Sequence, residues 1–406
     1  MDGNRKRIHS SDSDDRESNI CVAYIYSSSL LNESSKIPNL GKRAKFVHHL
    51  IESYGLTKLM SVIEPKAASA EQLTQFHSTN YVEYLLGHQE KQTENDRASD
   101  TSGSEASDEE SYDCPPLKNL FGFVTRIAGA TLTAAQTLVN GEADAVINWC
   151  GGWHHAQRDE AEGFCYVNDI VLGIQELKKK FEFVLYVDLD IHHGNGVENA
   201  FAFTQKVFTL SIHKYEPGFY PGTGSLDDVG IGNGKYHTLN IPLKSGITDG
   251  PYVDLFKRVS SEVFAAFQPD CVVVQCGADC ITGDKLGDFN LTPEALGQCV
   301  KHVLSWKRPA MFLGGGGYNI VNTAKCWTYL TSVILDHKIS SDIPEHRYFT
   351  RYGPDFDLEV TPSHRKDNNT KDELELIFTK ASGEVFIFFS LFSSFLTHGK
   401  CPKEHD

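Results

Sequence analysis

Residues 183–196, FVLYVDLDIHHGNG, open with five apolar residues, among them two valines and a tyrosine, and then change character completely. A run this short, apolar and β-branched reads as a strand covered on both faces, as in a parallel sheet. The aspartates and histidines that follow would fall just past its carboxyl end, where open parallel sheets bind their ligands.

Working outward, the same pattern recurs. Val146–Trp149, Phe183–Asp188, Val207–His213, Cys271–Cys276 and Ala310–Leu313 are strand candidates. Helical periodicities lie between them near 125–139, 168–180, 251–267, 293–305 and 321–335. Alternation of this kind predicts βαβ crossovers and an α/β fold, a three-layer αβα sandwich around a mostly parallel sheet. No internal repeat interrupts it.

The chain has 406 residues, of which 40% are hydrophobic, enough for a large core. Its 38 basic and 54 acidic residues leave a formal charge of −16, which argues against direct nucleic-acid binding and suits a basic peptide partner. No run of about 20 apolar residues is present, so no membrane-spanning helix is expected. The N-terminus lacks the apolar core of a secretory signal, and ten scattered cysteines without a CxxC pair suggest reduced thiols inside a cell.

Three tracts stand apart. Residues 1–19 read as a disordered polar arm, in which Arg5-Lys6-Arg7 is at most a fragment of an import signal. Residues 88–111 carry eight acids, two bases and no large aliphatic side chain, and read as a mobile acidic loop within a single domain spanning 20–380. From 381 to 406 the sequence forms a tail whose apolar block, 385–396, shows no helical periodicity and is expected to pack on the body or on a partner.

Four strand ends bring chemistry to one edge: Gly151-Gly152-Trp153-His154-His155, then Asp188 to Gly194, then Gly277-Ala278-Asp279, then Gly314 to Tyr318. Asp190 and His192 stand two apart in extended chain and so project to one side. With Asp279 they make a three-ligand set that leaves positions open for water and substrate, as catalytic zinc sites do. Iron(II) or another divalent metal satisfies the same donors. His154 and His155 suit proton transfer near neutral pH, and Tyr318 suits hydrogen bonding to an oxyanion. Asp188 shares the parity of Asp190 and can hold a histidine or a second cation. Gly163-Phe164 and Gly218-Phe219-Tyr220-Pro221-Gly222 supply aromatics for a narrow apolar channel.

The segments INWCGGWHHAQRDEAEGFCYVNDIVLGI, YVDLDIHHGNGVENAF, PGFYPGTG, QCGAD, GDFNLT and LGGGGYNIVNTAKCWTYLT resemble the class I zinc-dependent histone deacetylases over about residues 22–365. GGWHHA, Pro217 and SSDIPEHRYFTRYGPDF point to one branch of that class. The resemblance implies an arginase/deacetylase-like fold and hydrolysis of acetyl-lysine amides in histone tails and other acetylated proteins. It implies zinc on Asp190, His192 and Asp279, with His155 as general base, His154 on Asp188 as an electrostatic partner, and Tyr318 at the oxyanion. Asp113, Trp153, Gly163, Phe164, Tyr220 and Leu286 would surround the substrate. Structural potassium would sit at Asp188, Asp190, His192, Ser211 and Ile212, and again at Phe201, Thr204 and Val207. The family works in the nucleus and also the cytoplasm, and no obligate corepressor is implied.

Three departures qualify this. Asn195 stands where the family has an aspartate orienting the second histidine, so His155 is expected to have a lowered pKa for want of a neighbouring anion. Tyr220 stands where that branch has phenylalanine. The chain from about Ala381 does not resemble the family's last helix. Rival readings are a non-catalytic acetyl-lysine binder and a hydrolase of small acetylated amines.

Overall fold

Each of the five strand candidates forms a strand, and each strand lies parallel to its neighbours. The computed structural model describes residues 20–37, 39–95, 113–115, 117 and 119–397. In chain order the elements are β1 (Val22–Ile25), α1 (Ser28–Ser34), α2 (Arg43–Ser53), β2 (Ser61–Ile63), α3 (Ala70–Leu73), α4 (Thr79–Asn95), α5 (Leu120–Asn140), β3 (Ala145–Asn148), α6 (Asp169–Leu177) and β4 (Val184–Asp188). There follow α7 (Asn195–Phe201), β5 (Val207–Lys214), β6 (Thr238–Leu243), α8 (Asp249–Phe267), β7 (Cys271–Gln275), α9 (Pro293–Leu304), β8 (Ala310–Leu313), α10 (Ile320–Ile334) and α11 (Lys371–Thr397).

The eight strands make one sheet in the order β2-β1-β3-β8-β7-β4-β5-β6, parallel throughout rather than mostly so. Successive side chains of a strand point to opposite faces, and β4 divides accordingly. Leu185 and Val187 join the core beneath α2, α8, α9, α10 and α11. Val184 and Tyr186 join the core beneath α1, α4, α5 and α6. Both faces are therefore covered, and the three-layer α/β architecture is as the alternation predicts.

Helix starts follow local chemistry. The Asn168 side chain accepts from Val171 N–H to begin α6, and Asn319 accepts from Asn322 N–H to begin α10. Both caps sit at the sheet edge that carries the chemistry. The register is level there: Asn148 pairs with Leu313, Leu313 with Gln275, and Gln275 with Asp188.

Two sequence expectations need correction. Residues 88–95, read as the start of an acidic loop, continue α4 as helix; the rest of that segment, 96–111, lies outside the described residues, as does the arm 1–19. The block 385–396, read without helical periodicity, belongs to α11. Its pattern is obscured because Phe386 and Ile387 face outward while Ala381, Val385 and Phe388 are buried. The boundary drawn at 381 thus falls inside a helix. Phe388 packs on Phe208, His237 and Phe267, and Arg258 pairs with Glu375 to hold α11 against α8. No helix among the described residues is long and apolar enough to cross a membrane.

Candidate active site

The level strand ends place four loops side by side. Beyond β4, Asp190 and His192 project together, and beyond β7 Asp279 meets them. His192 Nδ1 is 3.1 Å from Asp190 Oδ1 and 3.0 Å from Asp279 Oδ2. One ligand atom from each of the three lies within 4.8 Å of the others, and all three residues are buried. It is the one such group of His, Cys, Asp or Glu among the described residues.

Polar groups fix each carboxylate. Asp190 Oδ2 accepts from Gln275 Nε2 at 2.9 Å and from Gly316 N–H at 2.8 Å, and Asp279 Oδ1 accepts from Ile191 N–H at 3.1 Å. The glycine at 316 is required by this close approach, because a Cβ there would lie 1.9 Å from Asp279 Oδ2. Gln275 escaped the sequence reading, and Gly316 entered it only as part of the glycine run that leads to Tyr318. A glutamine ending the otherwise apolar strand CVVVQ was the available signal for the first.

Two buried carboxylates facing one another need a positive charge between them. Burial and the Asp190 charge push Asp279 up to about 7. Burial alone would lower His192, but its hydrogen bonds to Asp190 and Asp279 outweigh this and carry it up to about 10, favouring a proton on the ring. The donor set of one imidazole and two carboxylates fits a divalent cation replacing that proton.

The glycines after β3 deliver the histidine pair. Asp169 accepts from Gly152 N–H at 3.1 Å and Trp153 N–H at 2.9 Å, which sets the turn. His154 Nδ1 then meets Asp188 Oδ2 at 2.8 Å, as expected from parity. Asp188 also accepts from Tyr186 hydroxyl at 2.6 Å. Burial would lower His154, but the Asp188 and Asp190 charges raise it to about 9. His155 Nδ1 lies 2.8 Å from Asn195 Oδ1. Its pKa falls well below the usual value, in the direction anticipated, but chiefly through burial and then the neighbouring His154 and His192.

After β8, Asp284 Oδ2 accepts from the backbone N–H of Tyr318 at 2.7 Å and Asn319 at 3.0 Å, fixing the tyrosine. Arg43 donates to the Gly317 carbonyl at 3.0 Å. Burial and the charges of Asp279 and Asp190 raise the Tyr318 phenol well above its usual pKa, so it stays a hydrogen-bond donor.

Gly152, Trp153, His154, His155, Gly163, Phe164, Asp190, His192 and Tyr318 line one narrow cavity of about 20 Å³. Phe164, at a positive φ of 64°, meets Tyr318 edge-on at 5.9 Å. Tyr220 stands edge-on to His155 at 5.0 Å, and Phe219, read in the sequence as one of the channel aromatics, stacks on His192 at 5.0 Å. Asp113 reaches this wall by accepting from Gly163 N–H at 2.9 Å. Leu286 is not among the lining residues; it is 45% exposed on the Asp284 loop. A larger groove of about 1410 Å³ runs along α9 and α10 to residues preceding β3 and β8, and it shares no lining residue with this cavity.

Residues 38–334 match the model of the histone deacetylase domain. Histone deacetylase 8 of Xenopus tropicalis is 47% identical over 373 residues, 91% of this chain and 99% of that protein. Histone deacetylase 8 of Danio rerio is 45% identical over 376 residues, covering 93% and 98%. Histone deacetylase 1 of Homo sapiens is 45% identical over 335 residues, 82% of this chain and 68% of the relative.

Proposed function

This chain belongs to the histone deacetylase family, and from that premise we propose how its residues carry out the family's reaction. The protein is a lysine deacetylase, a hydrolase of the acetyl amide on lysine side chains. The family is metal-dependent, and Asp190, His192 and Asp279 form the candidate metal site. We assign zinc to it. A cation held there polarises the acetyl carbonyl and makes a water nucleophilic at neutral pH.

The chain's own residues supply the rest. The lowered pKa of His155 keeps its ring neutral, and with Nδ1 engaged by Asn195 its Nε2 is the basic atom. It takes the proton of the attacking water and returns it to the departing lysine nitrogen. His154, paired with Asp188, contributes positive charge rather than basicity. The Tyr318 hydroxyl donates to the oxyanion that develops on the acetyl carbonyl. Phe164, Tyr220 and Trp153 wall the acetyl-lysine chain, Asp113 and Gly163 shape the rim, and Leu286 lies further out.

The net charge of −16 favours cationic peptides, so acetylated histone tails and other lysine-rich acetylated proteins are the proposed substrates, met in the nucleus and cytoplasm without an obligate corepressor. Potassium is proposed at Asp188, Asp190, His192, Ser211 and Ile212, where β4 and β5 pair Asp188 with Ser211, and at the Phe201–Thr204 turn leading to Val207.

The observation that carries this reading is the meeting of Asp190, His192 and Asp279 beside a histidine held through Nδ1. Acetate release from an acetylated histone-tail peptide, abolished by chelation and restored by zinc, tests it. Peptide binding without turnover in the zinc-loaded protein would overturn it.

A further inference from the structure

Asn195 holds His155 through an amide, and an amide can face either way. Its Oδ1 lies 2.8 Å from His155 Nδ1 and its Nδ2 lies 2.9 Å from Glu162 Oε1. A carboxylate only accepts hydrogen bonds, so the amide must turn its N–H toward Glu162 and its carbonyl toward the histidine. A carbonyl also only accepts, so His155 must carry its proton on Nδ1 and keep the Nε2 lone pair free. A reversed amide would place its own N–H against Nδ1, move the proton to Nε2 and remove the base.

Glu162 is itself anchored. Its Oε1 accepts from the Tyr220 hydroxyl at 2.9 Å, and its Oε2 accepts from Gln157 Nε2 at 2.8 Å. Gln157 Nε2 also reaches the His155 carbonyl at 3.0 Å, and its Oε1 accepts from Asn199. Every donor in this chain meets an acceptor. Asn195 and Tyr220, which departed separately from the family pattern in the sequence, converge on this one carboxylate. The glycine at 163 keeps the arrangement tight, since a Cβ there would lie 2.5 Å from the His155 ring and 2.7 Å from the Tyr220 hydroxyl.

We propose that Glu162 is a positioning residue for His155. The carboxylate that sets the tautomer of the second histidine stands one amide further out, acts through Asn195, and is fastened by Tyr220. This deepens the deacetylase reading and rests on it.

A double-mutant cycle tests the proposal because an aspartate in place of Asn195 needs no carboxylate behind it. Glu162→Ala lowers kcat about 10–100-fold, the usual effect of losing an orienting partner, with KM and metal content little changed. Asn195→Asp alone also lowers kcat, since it sets two carboxylates against each other. The double variant recovers most of the loss, an interaction that a merely structural role does not produce. Should Glu162→Ala not fold, Glu162→Gln is read against Asn195→Asp instead: its carbonyl still accepts from Asn195 in the single variant, while in the double its N–H can turn toward the introduced carboxylate, so the double must be faster than Asn195→Asp alone. A double variant no faster than the single Glu162→Ala variant, or a Glu162→Ala enzyme at the wild-type rate, overturns the proposal. Nitrogen-15 NMR of the His155 ring reads the tautomer without turnover, so failure of this idea and failure of the deacetylase reading appear separately. Protonated Nδ1 is expected in the wild type and a tautomer mixture in Glu162→Ala; protonated Nε2 in the wild type overturns it.

Discussion

Replacing Tyr318 by phenylalanine removes one oxygen and leaves its scaffold intact. The residue's backbone is held by Asp284, the preceding carbonyl by Arg43, and the ring by edge contact with Phe164, none of which involves the hydroxyl. The loss is therefore that of one donor aimed at the developing oxyanion, about 2.7–4 kcal/mol of transition-state stabilisation, or about 10²–10³ in kcat. Ground-state binding does not use that bond, so KM moves little. Tyr318 lies outside the Asp190–His192–Asp279 group, so bound metal is retained. Steady-state acetate release from an acetylated peptide, with metal content measured on the same sample, checks both statements. A kcat within about threefold of wild type would remove the oxyanion role, the expected loss being far larger. Loss of metal would equally refute the reasoning, by placing the hydroxyl among the ligands.

Asp279→Asn removes a charge from a three-membered set, so the variant should lose metal on dialysis under conditions where the wild type retains it; equal retention would exclude Asp279 as a ligand. His77 is buried, accepts from Asn168 N–H at 3.1 Å and has its pKa pushed down by burial to about 4. The unfolded chain takes up this proton first, so the contribution is complete above about pH 6.5 and up to about 3 kcal/mol is lost as pH falls toward 4. Urea unfolding at pH 7.5 and 5 should show a smaller difference for His77→Gln than for the wild type. Phe388→Ala should cost about 3–5 kcal/mol in the same assay, because the ring is 2% exposed. A cost under about 1 kcal/mol, the scale of a surface substitution, would mean that α11 is not part of the core.

The chemistry was legible where it follows a strand. Val184–Val187, Cys271–Val274 and Ala310–Leu313 are unbroken apolar runs, so the polar residues after them stood out in the sequence. β1, β2 and β6 were missed because they are short, half-exposed at Ser61–Ile63, or interrupted by Asn240 and Pro242. α2 and α4 were missed because polar residues dominate them. The candidate metal ligands could be named because two of them share a parity and the third follows closely on a strand. Glu162 could not: its partners at 157, 195 and 220 are joined by folding, and no periodicity announces them. Asn195 consequently looked like a lost anion, whereas the structure places a carboxylate one hydrogen bond beyond it.

The strand order has a bearing on how the protein is made. β2, β1 and β3 touch the remaining strands only through β8, which lies between β3 and β7. A nascent chain that has left the ribosome as far as β7 and the turn after it already holds the candidate ligands Asp190, His192 and Asp279 together with both histidines. Residues 310–318 come last, supplying the strand between β3 and β7 and, just after it, Tyr318. The proposed cation ligands are thus complete in the growing polypeptide before the proposed oxyanion donor is made.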